Sequence, residues 1–342
     1  MQFIKSDINI NFIGKRNIAV FLSLVFIITG LSSLVMKSGP RYGIDFAGGT
    51  LIQVKYPSPI SMEKIKSALR TIELSSSSVQ RFGDIKDNEF LIRTDKSQET
   101  IENLSENVKN ALKTSTNKDV EIRRVEMVGP QVGKDLQEKA LYAMFYAILF
   151  IAIYISGRFE LKWILSGIIA AALMAAVYFL SLFNVKIVML IATALGVTLI
   201  LFWFFKLKYA MGAIIALMHD VIITVGIFSI FNKEFTLPII AALLTIIGYS
   251  LNDTIIIFDR IRENLRKHHK EPLPTIINKS INETLGRTLL TTLTTLIVVV
   301  TLFLLGGGII HDFAFALIVG VFVGTYSSVY VASPILLIWE KL

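Results

Sequence analysis

Eight apolar runs, most of them close to the 20 or so residues that cross a bilayer, constrain this 342-residue chain more than any other feature. They lie at roughly 18–36, 140–156, 163–182, 186–205, 209–231, 236–258, 288–305 and 312–338. A single soluble core has no use for so many apolar helices. The pattern predicts a polytopic α-helical membrane protein with about eight transmembrane helices. Composition agrees: 54% of residues are hydrophobic and 18% charged, where a soluble domain carries about 25% charged residues. The first run follows Lys15-Arg16 and exceeds the roughly 7–15 apolar residues of a signal-peptide core, so it is read as an uncleaved anchor. The absence of cysteine excludes disulfides and thiolate ligands, and four histidines offer little for a zinc site. No cofactor and no metal are expected.

A net charge of +8 would suit a nucleic-acid binder, but its distribution does not. Residues 37–138 hold 16 Lys/Arg and 15 Asp/Glu, so that block is nearly neutral. The excess sits beside apolar runs: Lys5, Lys15, Arg16; Arg158, Lys162; Lys206, Lys208; Arg260, Arg262, Arg266, Lys267, Lys270. Lys and Arg in short loops mark the cytoplasmic side. With the N-terminus inside, segments 1–17, 157–162, 206–208, 259–287 and 339–342 are cytoplasmic and carry 15 Lys/Arg. The opposite short loops, near 183–185, 232–235 and 306–311, carry only Lys233, with Lys186 at a helix edge. Arg260–Lys270 is expected to form an interfacial amphipathic helix. The expected partner is the lipid bilayer, with no nucleic acid. The chain divides into 1–36 (cytoplasmic N-terminus and first helix), 37–138 (an extracytoplasmic domain) and 139–342 (the membrane bundle).

Within 37–138, Thr50–Tyr56, Ser78–Phe82, Glu89–Thr94 and the less regular Val120–Val128 have strand character. Ser61–Ile72 and Gln98–Thr114 have helical spacing, with Ser61 as N-cap of the first and Ile101, Leu104, Val108, Ala111 and Leu112 striping the second. The order β-α-β-β-α-β predicts a ferredoxin-like α+β domain, an architecture that fixes no function.

A charge near the bilayer centre costs roughly 2.5–3.5 kcal/mol on insertion scales, so the few present are candidates for function. Asp220 follows His219 and lies about 17 Å into its helix. Asp253 lies about one turn from the cytoplasmic end of its span, flanked by Tyr249, Ser250, Asn252 and Thr254 as hydrogen-bonding partners. Arg287 opens the next long helix on the same side, within reach of Asp253. Asp253 and Arg287 fit two roles: a structural ion pair at a helix end, or a proton relay in which the arginine's distance sets the carboxyl's protonation. Asp220 likewise fits a structural acid held by His219 or Thr224, or a relay group.

Outside the spans, Gly43, Asp45, Gly48 and Gly49 stand out in YGIDFAGGTL (Tyr42–Leu51). The glycine pair precedes a strand rather than a helix and lacks GxxxxGK[ST], which argues against a phosphate loop. Asp45 is expected to cap a turn where the first helix leaves the membrane. Gly320 and Gly324 form a GxxxG pair that permits close helix packing. The stretch from Phe159 resembles that from Phe205, and Ser181-Leu-Phe-Asn resembles Ser229-Ile-Phe-Asn, so 163–205 looks like a degraded copy of 209–258 without its acids. Duplication and chance in apolar sequence both produce such a match.

Six stretches carry a family resemblance: Tyr42–Leu51, Val128–Gly133 (VGPQVG), Ala216–Thr224 (ALMHDVIIT), Ala242–Asn264 (ALLTIIGYSLNDTIIIFDRIREN), Arg287–Thr295 (RTLLTTLTT) and Ser327–Ser333 (SSVYVAS). The chain resembles the SecF-type members of the SecD/SecF protein-export family, in the resistance-nodulation-division superfamily. The resemblance implies six membrane helices, an external ferredoxin-like domain after the first, and a seat in the bacterial cytoplasmic (inner) membrane. It implies that the proton motive force assists preprotein translocation, with a SecD-like subunit, the SecYEG translocon, its small associated membrane subunits and unfolded preprotein as partners. By motif match, the family's membrane acid falls on Asp253, its arginine on Arg287, and its His-Asp pair on His219 and Asp220. Where a typical member runs directly from a segment like FELK to one like YAMGAIIALMHD, about 46 residues, 163–208, intervene here. They are read as an inserted helix hairpin at the edge of a six-helix core. Two other functions fit the same features: a stand-alone proton-coupled transporter of a small or lipidic substrate, and a passive scaffold. No nucleophile–base set or nucleotide motif points to an enzyme.

Overall fold

The computed structural model describes residues 8–72, 74, 77–83, 85–95, 101–183, 185–268 and 270–341. Lys5, His269 and the first three residues of the expected 98–114 helix lie outside them. A 3-10 turn, Ile13–Lys15, leads into α1 (Arg16–Met36), whose 21 residues cross the membrane once. A four-residue helix, α2 (Ile44–Ala47), follows. Then come β1 (Gly49–Lys55), α3 (Met62–Arg70), β2 (Ser78–Phe82), β3 (Glu89–Thr94), α4 (Ile101–Thr116) and β4 (Glu121–Val128). The remaining helices are α5 (Pro130–Glu160), α6 (Trp163–Ser181), α7 (Ile187–Phe204), α8 (Lys208–Ile230), α9 (Leu237–Lys267), α10 (Leu273–Leu305) and α11 (Gly307–Ser327). The final span continues through a π-helical stretch, Ser328–Ala332, and a short helix, Ser333–Ile335. Among the described residues eight helices are long and apolar enough to cross a membrane.

Helix boundaries follow from local chemistry. Pro stands at N1 or N2 of α5, α9 and α10, where its fixed φ suits a first turn and its missing N–H costs nothing. The turn after α5 is made by Leu161 at φ 56°, and the turn after α8 by Asn232 at φ 56°.

Two expectations fail at the C-terminal end of α9 and the N-terminal end of α10. Arg260–Lys267 is not a separate interfacial helix but the continuation of α9, and Arg287 does not open α10 but lies about four turns from its start. The apolar-run criterion sees only the bilayer portion, whereas both helices continue into water through side-chain pairing. Buried Asn264 donates to Ser280 Oγ at 3.0 Å and to Glu283 Oε2 at 2.8 Å, and Arg260 pairs with Glu263 at 2.9 Å and Glu283 at 3.6 Å.

In the sheet all neighbours are antiparallel, in the order β2-β3-β1-β4. Ile52, Val54, Phe90 and Ile92 project from one face onto Ile65 and Leu69 of α3 and Leu104, Val108 and Leu112 of α4. Ser61 occupies the N-cap position of α3, but its side chain makes no capping bond. The glycine pair serves the backbone: Gly48 and Gly49 have φ 75° and 109°, and a Cβ on Gly49 would lie 2.5 Å from Thr94 O.

Helix α8 is the hub of the bundle, contacting α1, α5, α7, α9 and α11. At its crossing with α1, a Cβ on Gly226 would lie 2.7 Å from Gly30 Cα, so the two backbones touch. The GxxxG pair does face another helix: a Cβ on Gly324 would meet Ser250 Cβ of α9 at 2.8 Å. The α6–α7 hairpin lies against α5 and α8. Its base is closed by Glu160 Oε1, which accepts from Tyr209 N at 2.8 Å, and by Lys162 Nζ, which donates to Phe205 O at 2.8 Å.

Candidate functional site

Asp220, 1% exposed, sits near the middle of α8. An ionised carboxylate at that depth needs donors, and three helices supply them. Its Oδ2 accepts from Ser250 Oγ of α9 at 2.5 Å and from Ser327 Oγ of α11 at 2.8 Å. Its Oδ1 lies 2.9 Å from Nδ1 of His219. The chain continues from His219 Nε2 to Ser23 Oγ of α1 at 2.9 Å, then to Tyr326 Oη at 3.1 Å, and Tyr326 donates to Ala19 O at 2.6 Å. Counting donors fixes the direction of this chain. Tyr326 spends its one hydrogen on Ala19 O, so Ser23 donates to Tyr326 and must accept from His219 Nε2–H. A hydrogen therefore lies between Nδ1 and Oδ1, carried by one atom or the other. Thr224, the other expected partner, bonds the backbone oxygen of Asp220 and not its carboxylate.

Asp253 is built differently. It is also 1% exposed, yet its Oδ2 is buried without a hydrogen-bond partner. None of the four flanking residues serves it. Ser250 turns to Asp220, Thr254 bonds Ser250 O at 3.2 Å, and Tyr249 Oη lies 3.4 Å from Thr292 Oγ1. Asn252 is exposed, as an adjacent residue about 100° around the helix would be. The groups that act on Asp253 are Arg287 of α10, through space, and Thr325 of α11, whose hydroxyl also meets Thr292 at 2.9 Å. Arg287 is exposed and, among the described residues, makes no ion pair within 4.0 Å. The expected Asp253–Arg287 contact is thus an open separation, not a closed pair. Thr288 Oγ1, beside Arg287 in α10, is a second buried atom without a partner.

The sequence reading missed Ser23, Tyr326, Glu160 and Glu234. Glu160 Oε2 is buried and unpartnered at the C-terminal end of α5. An acid at the end of an apolar run was the available signal. Ser23 and Tyr326 carry no such signal, because small hydroxyl residues are common in membrane helices. Gly43, Asp45, Gly48 and Gly49 lie outside this site. Asp45 does not cap a turn at the exit of α1: its Oδ2 accepts from Leu237 N at 2.8 Å, at the start of α9, because α2 folds back onto the bundle.

Fold and site together define a multi-pass membrane protein with two acids enclosed in its helix bundle. The profile described as protein export membrane protein SecD/SecF, C-terminal, matches residues 107–195 and 179–342, and that of the SecD/SecF GG motif matches 34–56. The chain is 42% identical to protein translocase subunit SecF of Magnetococcus marinus, covering 99% of this chain and 95% of that one. It is 39% identical to protein translocase subunit SecF of Calditerrivibrio nitroreducens, covering 100% and 98%. Among solved structures it is similar to SecDF, a translocon-associated membrane protein from Thermus thermophilus, with a TM-score of 0.74 and 28% identity over 99% of this chain. The chain spans 40% of that longer protein. It therefore belongs to the SecF family of protein translocase subunits, and is a membrane subunit of Sec protein export.

The Asp220 shell yields a stability prediction. Ser250→Ala with Ser327→Ala leaves Oδ2 without a donor, which should cost about 1–3 kcal/mol, whereas either change alone leaves one donor in place. Thermal melting of the purified protein checks this. A double variant no less stable than the singles would show that Oδ2 needs neither hydroxyl.

Proposed function

We propose that this subunit uses the proton motive force to assist preprotein translocation, with Asp253 as the group that gains and loses the proton. It does so as a non-catalytic component beside a SecD-like partner, the SecYEG translocon and its small associated membrane subunits, acting on unfolded preprotein. The observation that carries the reading is the contrast between the acids: Asp220 is fully bonded, whereas Asp253 keeps a buried, unpartnered oxygen. A carboxyl already bonded from three sides gains little by changing its proton. One with a free oxygen and a cation at a distance has two states of comparable cost, and α9 moving relative to α10 changes which is favoured. Proton transfer and helix position are then linked. A single charge moved through the membrane potential is worth about 2.3 kcal/mol per 100 mV, the scale of the cost of a charge at the bilayer centre. The match to part of the longer SecDF chain favours a partnered half over a stand-alone transporter.

In this reading the four-stranded unit is a ferredoxin-like domain outside the cytoplasm, and the N-terminus faces the cytoplasm of a bacterium with the bundle in its inner membrane. The βαββαβ order and the 2-3-1-4 sheet support the first, and the Lys/Arg asymmetry supports the second. Helices α6 and α7 are an accessory pair inserted into the family core. The shells of Asp220 and Asp253 draw on α1, α8, α9, α10 and α11, and the family profile matches in two pieces, 107–195 and 179–342, that overlap across the α6–α7 turn.

Three outcomes are expected. Asp253→Asn keeps the side chain's shape and removes its titration, so it should abolish stimulation of export while membrane insertion stays normal. Full export by this variant in cells lacking the native protein would refute the relay. Single cysteines on exposed positions such as Lys66 or Lys109, in a chain with no other cysteine, should react with impermeant maleimide in spheroplasts. Reaction only after lysis would reverse the topology. Deleting residues 163–208 joins Lys162 to Tyr209, which already lie close at the hairpin base, where Glu160 Oε1 accepts from Tyr209 N. Two helices leave together, so later loops keep their side. The shortened chain should insert and retain most export activity. Loss of export at normal abundance and partner binding would place the hairpin in the mechanism.

A further inference from the structure

The sheet domain meets the membrane bundle at the start of α9, the helix that carries Asp253. In the α8–α9 loop Phe235 lies beside Tyr42 as a parallel bridge: Phe235 N donates to Arg41 O and Gly43 N to Phe235 O, both at 2.7 Å. Glu234 draws the sheet onto this pairing. Its Oε1 accepts from Gln80 of β2 at 3.0 Å, and lies 3.2 Å from Arg41 and 3.8 Å from Arg93 of β3. Arg93 also donates to Tyr42 O at 2.5 Å.

The start of α9 needs an acceptor for its first N–H groups. Thr236 occupies the N-cap position, a residue type well suited to the task, yet its side chain makes no capping bond. A Cβ on Gly43 would lie 2.7 Å from Thr236 Cγ2, so Thr236 packs against the incoming segment instead. The cap comes from outside the helix: Asp45 Oδ2 accepts from Leu237 N at 2.8 Å. Helix α2, which bears Asp45, is wedged on its other side against α5. A Cβ on Gly133 would lie 2.9 Å from Phe46 O, and one on Gly48 would lie 2.8 Å from Pro130 Cα. The backbone that carries Asp45 therefore cannot move away from α9 without α2 moving against α5.

We infer that Asp45 and Glu234 form a clasp through which the position of the sheet domain sets the position of α9, making Asp45 a positioning residue for the proton step at Asp253. The inference rests on the relay reading above. The cap is a one-bond connection between a segment that precedes the sheet and a continuous helix running from Leu237 past Asp253, so displacement at one end is passed along the helix.

The test uses the full chain with its SecD-like partner in membrane vesicles. Asp45→Ala removes the acceptor, and Asp45→Asn keeps an oxygen for Leu237 N. Export of a secretory preprotein is measured beside the infrared carboxyl band lost in Asp253→Asn, followed against pH. Asp45→Ala should lower export about five-fold, the factor a lost cap of ordinary strength supplies, and move the midpoint of the Asp253 band by about half a pH unit. Asp45→Asn should restore both. Equal impairment of the two variants, or an Asp253 band unmoved in Asp45→Ala, overturns the clasp. If Asp253→Asn itself exports normally, the relay reading falls, and hydrogen exchange at 237–253 then decides the clasp. Exchange accelerated only at the first turn of α9 overturns it, and acceleration reaching Asp253 sustains it.

Discussion

Placing a carboxylate in the middle of a membrane helix obliges its neighbours to come to it. Asp220 draws one hydroxyl from α9 and one from α11, and through His219 it reaches Ser23 of α1. These bonds tie four helices at a single depth, and the close crossings are located where they have to be. Gly324 lets α11 approach Ser250, and Gly226 lets α1 and α8 meet backbone to backbone. Small residues and hydroxyls thus act together. The first bring the helices close enough for the second to bond, and each bond is worth more for lying where water does not compete.

That fixed point gives the second acid its freedom. Ser250 and Asp253 are three residues apart on α9, roughly one turn, so the hydroxyl given to Asp220 is withheld from Asp253. Thr325 and Ser327, two residues apart at the end of α11, stand one beside each acid. The same two helices present a saturated site and an unsaturated one, a turn apart. A helix shift that leaves the Asp220 shell intact pivots about it. The groups that move most relative to Asp253 are then those of α10, which takes no part in that shell and carries Arg287.

Apolar run length was enough to find all eight spans, because in a bilayer every backbone group must be paired within its own helix. Alternation and stripe likewise placed each strand and helix of the small domain to within a few residues. What run length could not show is where a helix stops once it leaves lipid. The C-terminal part of α9 and the N-terminal part of α10 are held by Asn264, Glu283 and Arg260, polar residues that look like loop in a hydropathy reading. For the site, the cost of burial pointed to Asp220 and Asp253, and both lie buried in the bundle. It could not say which acid is satisfied, since that depends on serines from helices distant in sequence. The flanking residues of Asp253 misled for a simple reason. Neighbours in sequence lie on different faces of a helix, and the partners of a buried side chain come from the helices opposite.

The signature around Gly48 and Gly49 shows how a motif can be legible while its use is not. Glycine before a strand argued against a phosphate loop, and the positive φ values show the backbone turn the pair makes instead. Nothing in the sequence connects that stretch to residue 237. The connection arises because α2 folds back between two helix starts, α5 and α9, each begun by a proline and each running the width of the membrane. A short element seated on two such starts has leverage that its length does not suggest. A shift of α2 changes the relation between α5, which ends at the base of the hairpin, and α9, which carries Asp253. The glycines keep that seat close, and Asp45 makes it polar and directional. The same stretch that turns the chain into the sheet therefore also determines how firmly the sheet is joined to the bundle.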